Sequence, residues 1–279
     1  MFSLEIALPS SVVSIEHGLL LRTLKIYQII RYASIFGTKK ITIYYDSFIP
    51  LTIDKKIKAL IRKVHNYLTT PPYLRKKLMP LDKDLKFVGA LPPLRLNIYD
   101  VSMKPRPNEI RVCLIRKRND KFTADCGLKK EVLIIDDESN IREGLGIVRI
   151  IDTHRMIGKY VDEDNCNIYL GPSLAFEYSL KNTIEKEQGT NTCIIATSKY
   201  GVVPKAEDIR RAVFNKSRLL VLFGSPYGGL YEIAENEGWK LEDRIKYIWN
   251  TIPGQHVKTI RTEEALIITL GLINLLIRK

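Results

Sequence analysis

Three segments bring together residue types that can hold a ligand or steer a reaction. Residues 222–229, LFGSPYGG, follow an apolar run and precede a helix-like stretch. Glycines there let a backbone approach a ligand closely, and the first turn of the following helix offers unpaired N–H donors. The pattern matches neither G-x-G-x-x-G nor a phosphate loop ending in Gly-Lys-Ser/Thr, so a plain strand-to-helix turn is its alternative reading. Residues 250–263, NTIPGQHVKTIRTE, form a polar, turn-rich stretch between an apolar strand at 245–249 and an apolar last helix. Such a loop either surrounds a ligand with backbone groups or simply connects two elements. In the third segment, residues 28–37, QIIRYASIFG, Arg31 interrupts a surface of apolar and small residues. A buried guanidinium needs a partner, so Arg31 is either an ion-pair strut or a substrate-facing group.

Other chemistries are disfavoured by spacing. The four cysteines, Cys113, Cys126, Cys166 and Cys193, include no C-x-x-C pair and no histidines that would complete a tetrahedral site, so neither a disulfide framework nor a zinc site is expected. Cys193 lies in an apolar strand and reads as a packing residue, which leaves covalent pyrimidine chemistry unsupported. His17, His65, His154 and His256 lack metal-ligand spacing. No metal is expected.

Charge points to a polyanionic partner. The 279 residues carry 44 Lys and Arg against 31 Asp and Glu, a formal charge of +13, which favours nucleic acid as ligand. The excess is concentrated: residues 54–86 hold ten basic and three acidic residues, and residues 104–118 six and one. In the first run Tyr67 and Tyr73 interleave with Arg75, Lys76 and Lys77, a mixture suited to base stacking and phosphate contact. Arg116, Lys117 and Arg118 close the second. Either run alone is equally a solvated charged face; the two together with the whole-chain charge favour RNA.

These groups must be positioned by regular elements. Residues 4–8 read as a strand, 17–36 as a helix, 41–45 as a strand and 54–68 as a helix with a basic polar face, an order that implies a parallel sheet covered by helices. Pro92, Pro93, Pro105 and Pro107 punctuate a boundary. Beyond it, short strand candidates at 110–116, 121–126, 132–135 and 146–152 predict a small β-rich insertion. The α/β rhythm resumes with a strand at 193–197, a helix at 204–214 and a strand at 219–223. Thr262 is placed to cap the last helix, Thr262–Ile277, whose nearly all-apolar body should be buried. That apolar stretch is too short to cross a bilayer, and the N-terminus lacks the pattern of a signal peptide, so a cytoplasmic, membrane-free protein is expected.

The strand end at 196–199, the turn FGSPYGG and the pair IPGQ…RTEEA together resemble the three cofactor-binding loops of the SPOUT superfamily of S-adenosylmethionine-dependent methyltransferases. More narrowly, LPSSVV, IIRYASIFG, TTPPYLRKKLMP and TIPGQ…RTEEA resemble an archaeal and eukaryotic family of RNA methyltransferases within it, related to a human centromere-associated protein, over residues 2–94 and 167–277. The fold this implies is α/β: a trefoil-knotted methyltransferase domain with a parallel sheet, formed by residues 1–96 and 162–279 and interrupted by a small OB-like β-barrel at 97–161. The resemblance puts Thr197, Gly224, Ser225, Pro226, Gly228 and Gly229 in an S-adenosylmethionine pocket closed by Ile252, Pro253, Gly254, Gln255 and Thr262. It makes Arg31 catalytic, an electrostatic stabiliser of developing negative charge, since an arginine is no base at neutral pH. It further implies a homodimer with both subunits near each site. The expected activity is methylation of RNA, ribosomal first and transfer RNA second, at a base nitrogen such as uridine N3, with the ribose 2′-hydroxyl left open. The run His256-Val257-Lys258 departs from the smaller, more acidic residues the resemblance would put after Pro-Gly-Gln. That departure supports the rival reading, a noncatalytic RNA-binding or ribosome-assembly factor that retains the fold.

Overall fold

The computed structural model describes residues 2–136, 141–162, 166, 168–188 and 191–277; Asn167, where the family resemblance resumes, lies outside them. The chain opens with strand β1 (Ser3–Pro9), the short helix α1 (Ser11–Ser14), helix α2 (Gly18–Ile35), strand β2 (Lys40–Tyr44) and helix α3 (Leu51–Thr69), followed by the single turn α4 (Arg75–Leu78). Five strands come next: β3 (Ile110–Arg118), β4 (Lys121–Asp125), β5 (Val132–Ile134), β6 (Gly144–Asp152) and β7 (Ile157–Val161). The remainder alternates again, through β8 (Ser173–Glu177), α5 (Leu180–Glu185), β9 (Thr192–Val202), α6 (Ala206–Val213), β10 (Arg218–Leu222), α7 (Leu230–Asn236), β11 (Tyr247–Trp249) and α8 (Thr262–Ile277).

Two compact units result. The first takes Met1–His65, Lys83–Pro92 and Gly171–Lys279. Its sheet has the order β11-β9-β10-β1-β2-β8, and every neighbouring pair is parallel. β1 lies inside this order and is buried from Leu4 to Pro9, as expected of a strand covered on both faces. Helix α3 turns Ile57, Leu60, Ile61 and Val64 inward at helical spacing and leaves Lys55, Lys56 and Arg62 exposed. On α8, Leu266, Leu270 and Ile273 are buried, but Ile268 and Leu275 are 44% and 76% exposed. The expectation that the whole apolar body is buried therefore fails for this chain alone. Helix α2 has a matching uncovered strip in Leu20, Leu21, Leu24 and Ile35. The two helices are tied by Lys25, only 3% exposed, whose ammonium lies 2.6 Å from Glu16 and 3.2 Å from Glu263.

The second unit takes Asn66–Asp82 and Pro93–Leu170. Its strands close into a five-stranded barrel in the order β3-β4-β5-β7-β6, antiparallel except for β5 with β7. Ile115, Phe122, Ala124, Val132, Ile134 and Val148 fill it together with Cys113 and Cys126. Those cysteines form a disulfide, against the expectation from their spacing. Antiparallel pairing is the reason: Leu114 faces Asp125 across β3 and β4, so the next pair outward is Cys113 and Cys126, with Cα atoms 4.3 Å apart. Around the barrel, the fully buried Arg111 donates to Glu109 and to the carbonyls of Cys126 and Ser102. Tyr73 donates to the Val112 carbonyl at 2.7 Å, and Tyr99 to that of Thr69.

At the other edge of the sheet from the loops described below, Glu5 of β1 meets Lys40 of β2 at 2.7 Å and Arg218 of β10 at 2.9 Å. Burial raises the Glu5 pKa, but hydrogen bonds from Arg218 and Lys40 outweigh it and hold the carboxyl below its ordinary value. A depressed carboxyl stabilises the fold above its unfolded value and loses that contribution as pH falls through the folded value. Thermal melts should therefore show wild type losing stability relative to Glu5→Gln only below about pH 4.5. In the barrel, Cys113 and Cys126 should resist alkylation in denaturant until reductant is added, and replacing both with alanine should cost about 2–4 kcal/mol of barrel stability in denaturant titrations.

Candidate functional site

Six parallel strands direct all their carboxyl ends to one edge, and the loops leaving that edge are where an open α/β sheet binds ligands. Thr197 in β9, the turn after β10 and the loop after β11 meet there around a cavity of about 330 Å³. Of the residues proposed from sequence for a cofactor pocket, Thr197, Gly224, Ser225, Pro226, Gly228, Gly229, Ile252, Gln255 and Thr262 line it. Pro253 and Gly254 do not; they form the turn that carries Ile252 and Gln255, with Gly254 at φ +67°.

The rim is built by hydrogen bonds between side chains and backbone. The Thr197 hydroxyl donates to the Leu222 carbonyl at 2.9 Å, fixing β9 against the end of β10. Thr262 differs from expectation. Its hydroxyl donates to the Gly224 carbonyl at 3.1 Å rather than capping its own helix, while Glu264 accepts from the backbone N–H of Arg261 at 2.9 Å. The start of α8 is thereby pinned to the glycine-rich turn. In the third loop, Asn250 donates to the Lys199 carbonyl and accepts from the N–H of Ile252, both at 3.1 Å, and the Thr251 and Thr269 hydroxyls lie 2.7 Å apart. Lys199 and Tyr227, which lie within two of the segments singled out from sequence, also line the cavity, as do Tyr200 and Glu232, which as ordinary surface types gave no signal there.

The glycine-rich turn is compact because side chains are missing from it. A Cβ on Gly224 would lie 3.0 Å from the Gly229 Cα, and one on Gly228 would lie 2.4 Å from the Phe48 ring. Phe48 also packs against Tyr227, with ring centroids 6.3 Å apart. Closely approaching backbone of this kind leaves peptide groups facing the cavity, a lining suited to a nucleoside-like cofactor with a polar edge.

Behind the turn lies a group that sequence reading missed. Asp46, just after β2, is 1% exposed and accepts a short hydrogen bond from the Ser11 hydroxyl. The Ser11 oxygen is in turn 2.7 Å from that of Ser225. Burial, with the nearby charge of Asp54, raises the Asp46 carboxyl above its ordinary pKa against the opposing hydrogen bonds of Ser11 and Ser225. Farther away, burial raises the Cys193 thiol to about 11, consistent with a packing role.

Arg31 is half-buried on α2, and no residue of α2 lines the cavity. The basic residues proposed for RNA contact divide. Arg75 donates to the carbonyls of Thr70 and Leu68 and stacks on Tyr67 at 4.6 Å, and Lys77 pairs with Asp125, so both also hold their own unit together. Lys76 and Lys117 are exposed, as is Arg118, which lies 3.7 Å from Glu131; Arg116 is half-buried. Two further cations appear only in the structure: exposed Arg149 on β6 sits directly opposite exposed Lys159 on β7. Like charges so paired destabilise a sheet, and an anionic ligand relieves the cost. No cluster of three or more metal-binding side chains occurs among the described residues, and none of their helices is long and apolar enough to cross a membrane.

A family model described as "Putative RNA methyltransferase" matches residues 3–273. Among curated proteins, the chain is 28% identical to the human 28S rRNA (uridine-N(3))-methyltransferase, over 97% of this chain and 77% of that protein. It is 25% identical to the Drosophila melanogaster protein of the same description, over 96% of this chain, and spans 61% of that longer protein's length. An uncharacterized protein of Haloarcula marismortui is 25% identical, over 91% of this chain and 92% of its own.

The turn geometry can be tested directly. Gly228→Val forces Phe48 or the turn to move, so binding of S-adenosylmethionine, measured by calorimetry, should weaken at least tenfold while circular dichroism stays that of the wild type.

Proposed function

The chain belongs to the RNA methyltransferase family whose model spans residues 3–273, and from that premise we propose that it is an S-adenosylmethionine-dependent enzyme of the SPOUT, trefoil-knot class that methylates uridine N3 in ribosomal RNA. The observation that carries this reading is the cavity itself. Three loops singled out in the sequence, at Thr197, at 224–229 and at 252–262, converge on one space of about 330 Å³. The names of the human and Drosophila relatives support uridine N3 over the ribose hydroxyl. Bound there, S-adenosylmethionine would supply an electrophilic methyl group. The protein's part is to hold donor and acceptor in line and to stabilise the charge that develops on the acceptor.

Residues 1–96 and 162–279 form the catalytic part in this reading, and residues 97–161 an RNA-binding insertion. The barrel order with its single parallel pair supports an OB-like insertion, and the facing Arg149 and Lys159 support an anionic ligand on it. Ribosomal RNA is the first substrate, transfer RNA the second. The uncovered apolar strips on α2 and α8 support a homodimer. A dimer also accounts for Arg31, which lies outside the lining of its own chain's cavity and would serve its partner's. The cytoplasm is the proposed location.

His256, Val257 and Lys258, whose departure favoured a noncatalytic factor, are exposed and lie outside the cavity lining, while Gln255 and Thr259 on either side line it. They do not obstruct a cofactor. Incubation with labelled S-adenosylmethionine and total RNA from cells lacking the protein should place label at one ribosomal uridine, identified as N3-methyluridine by mass spectrometry. Arg31→Ala should slow transfer at least tenfold and change cofactor affinity less than threefold; equal turnover removes Arg31 from the reaction. Binding of both cofactor and RNA without transfer would mark an assembly factor instead.

A further inference from the structure

Methylating a base nitrogen requires the acceptor to lose a proton, and a chain of hydrogen bonds leads from the cavity lining to a buried carboxylate. β10, β1 and β2 are adjacent in the sheet, and each delivers one polar residue at its carboxyl end: Ser225, Ser11 and Asp46. Ser225 is half-buried in the cavity wall, whereas Ser11 and Asp46 are 0% and 1% exposed. Ser11 donates to Asp46 Oδ2, so its oxygen, 2.7 Å from that of Ser225, is left to accept the Ser225 proton. The hydrogen bonds therefore all point one way, from the cavity to the carboxylate. Asp46 Oδ1 is buried with no hydrogen-bond partner among the described residues. A half-satisfied buried carboxylate weakens a fold, and groups of this kind concentrate where function needs them.

We propose that Asp46 is the positioning residue and final proton acceptor of a relay, Ser225 to Ser11 to Asp46, that deprotonates the nitrogen receiving the methyl group. The inference rests on the methyl-transfer reading. As the acceptor N–H bond breaks, its electron pair stays on nitrogen and forms the new N–CH₃ bond, while the S–CH₃ bond of the sulfonium donor breaks and its pair stays on sulfur. The acceptor's proton passes to the Ser225 oxygen, the Ser225 proton to Ser11, and the Ser11 proton to Asp46, which ends neutral. The relay therefore consumes one carboxylate per turnover, and release of the proton to water resets it. Burial of the carboxyl makes it a stronger base than an exposed aspartate. The charged and titratable groups around it are Asp54 on α3, paired at 3.1 Å with Lys58, and Tyr44 and Tyr45, whose phenols burial raises above their ordinary value.

Asp46→Asn keeps the shape and the hydrogen-bond acceptor but takes up no proton. Its kcat should fall about 100-fold, a general-base effect, with KM for S-adenosylmethionine and for RNA within about threefold. The wild-type kcat should decline as pH drops through the Asp46 value, and this acidic limb should disappear in the variant. Ser225→Ala, at a half-exposed turn where folding is not at stake, should lose at least tenfold in kcat, and Ser225→Thr, which keeps the hydroxyl, should recover part of it. Carboxyl NMR supplies a readout that needs no turnover. The Asp46 resonance, assigned by its loss in Asp46→Asn, should titrate at higher pH in Ser225→Ala, because the Ser11 hydroxyl, no longer polarised by the proton it accepts from Ser225, gives the ionised carboxylate a weaker hydrogen bond. Unchanged kcat in Asp46→Asn, or a midpoint unmoved by Ser225→Ala, overturns the relay while methyl transfer by the wild type stands. A wild type that methylates no RNA overturns the methyl-transfer reading itself, whatever the titration shows.

Discussion

Because the six strands of the first unit all run in one direction, their carboxyl ends share an edge, and every loop that leaves that edge competes for the same space. The constraint is topological before it is chemical. Residues distant in sequence, Ser11, Asp46, Thr197, Ser225 and Thr262, become neighbours because strand direction leaves them nowhere else to go. Hydrogen bonds then fix what direction has gathered. Tyr44 at the end of β2, fully buried, donates at 2.6 Å to the carbonyl of Phe223, the residue that follows β10. That bond spans the strand between them and sets the height at which the glycine-rich turn begins.

The opposite edge of the sheet solves a different problem. Glu5, Lys40 and Arg218, with Glu187 2.9 Å from Lys40, form a network in which each buried charge faces one of opposite sign. Burying any one of them alone would be costly, and mutual pairing makes the arrangement tolerable rather than strongly stabilising. The second Glu187 oxygen closes the network, 2.6 Å from the Arg218 guanidinium.

Local patterns were legible in the sequence and non-local ones were not. The last helix was read as Thr262–Ile277 and is observed there, and β1, β2 and β10 lie within a residue or two of expectation, because apolar periodicity and terminating Pro, Gly or Asp residues are local signals. Strand β8, SLAFE, was missed: five residues with no turn chemistry of their own gain strand geometry only by pairing with β2. The disulfide was missed for the same reason, since thirteen residues of separation say nothing until β3 and β4 are in register. Thr262 shows a third kind of failure. Its capping role was a sound local inference, yet the helix begins with Thr262 itself, and its hydroxyl donates instead to a carbonyl 38 residues away in sequence. Asp46 carried no motif at all, and only the sheet order reveals what it faces.

The bond from Thr262 to Gly224 gives α8 two duties. Its first turn is part of the cavity wall, and its outward face, with Ile268 and Leu275, is apolar and uncovered. A rigid helix joins these two places. Whatever covers the face and whatever fills the cavity therefore act on one body, and if either shifts it, thermodynamic reciprocity requires each to alter the affinity of the other by the same factor. Protein concentration would then behave as an effector: ligand affinity would rise or fall as the chain is diluted, with no second binding pocket needed to produce the effect.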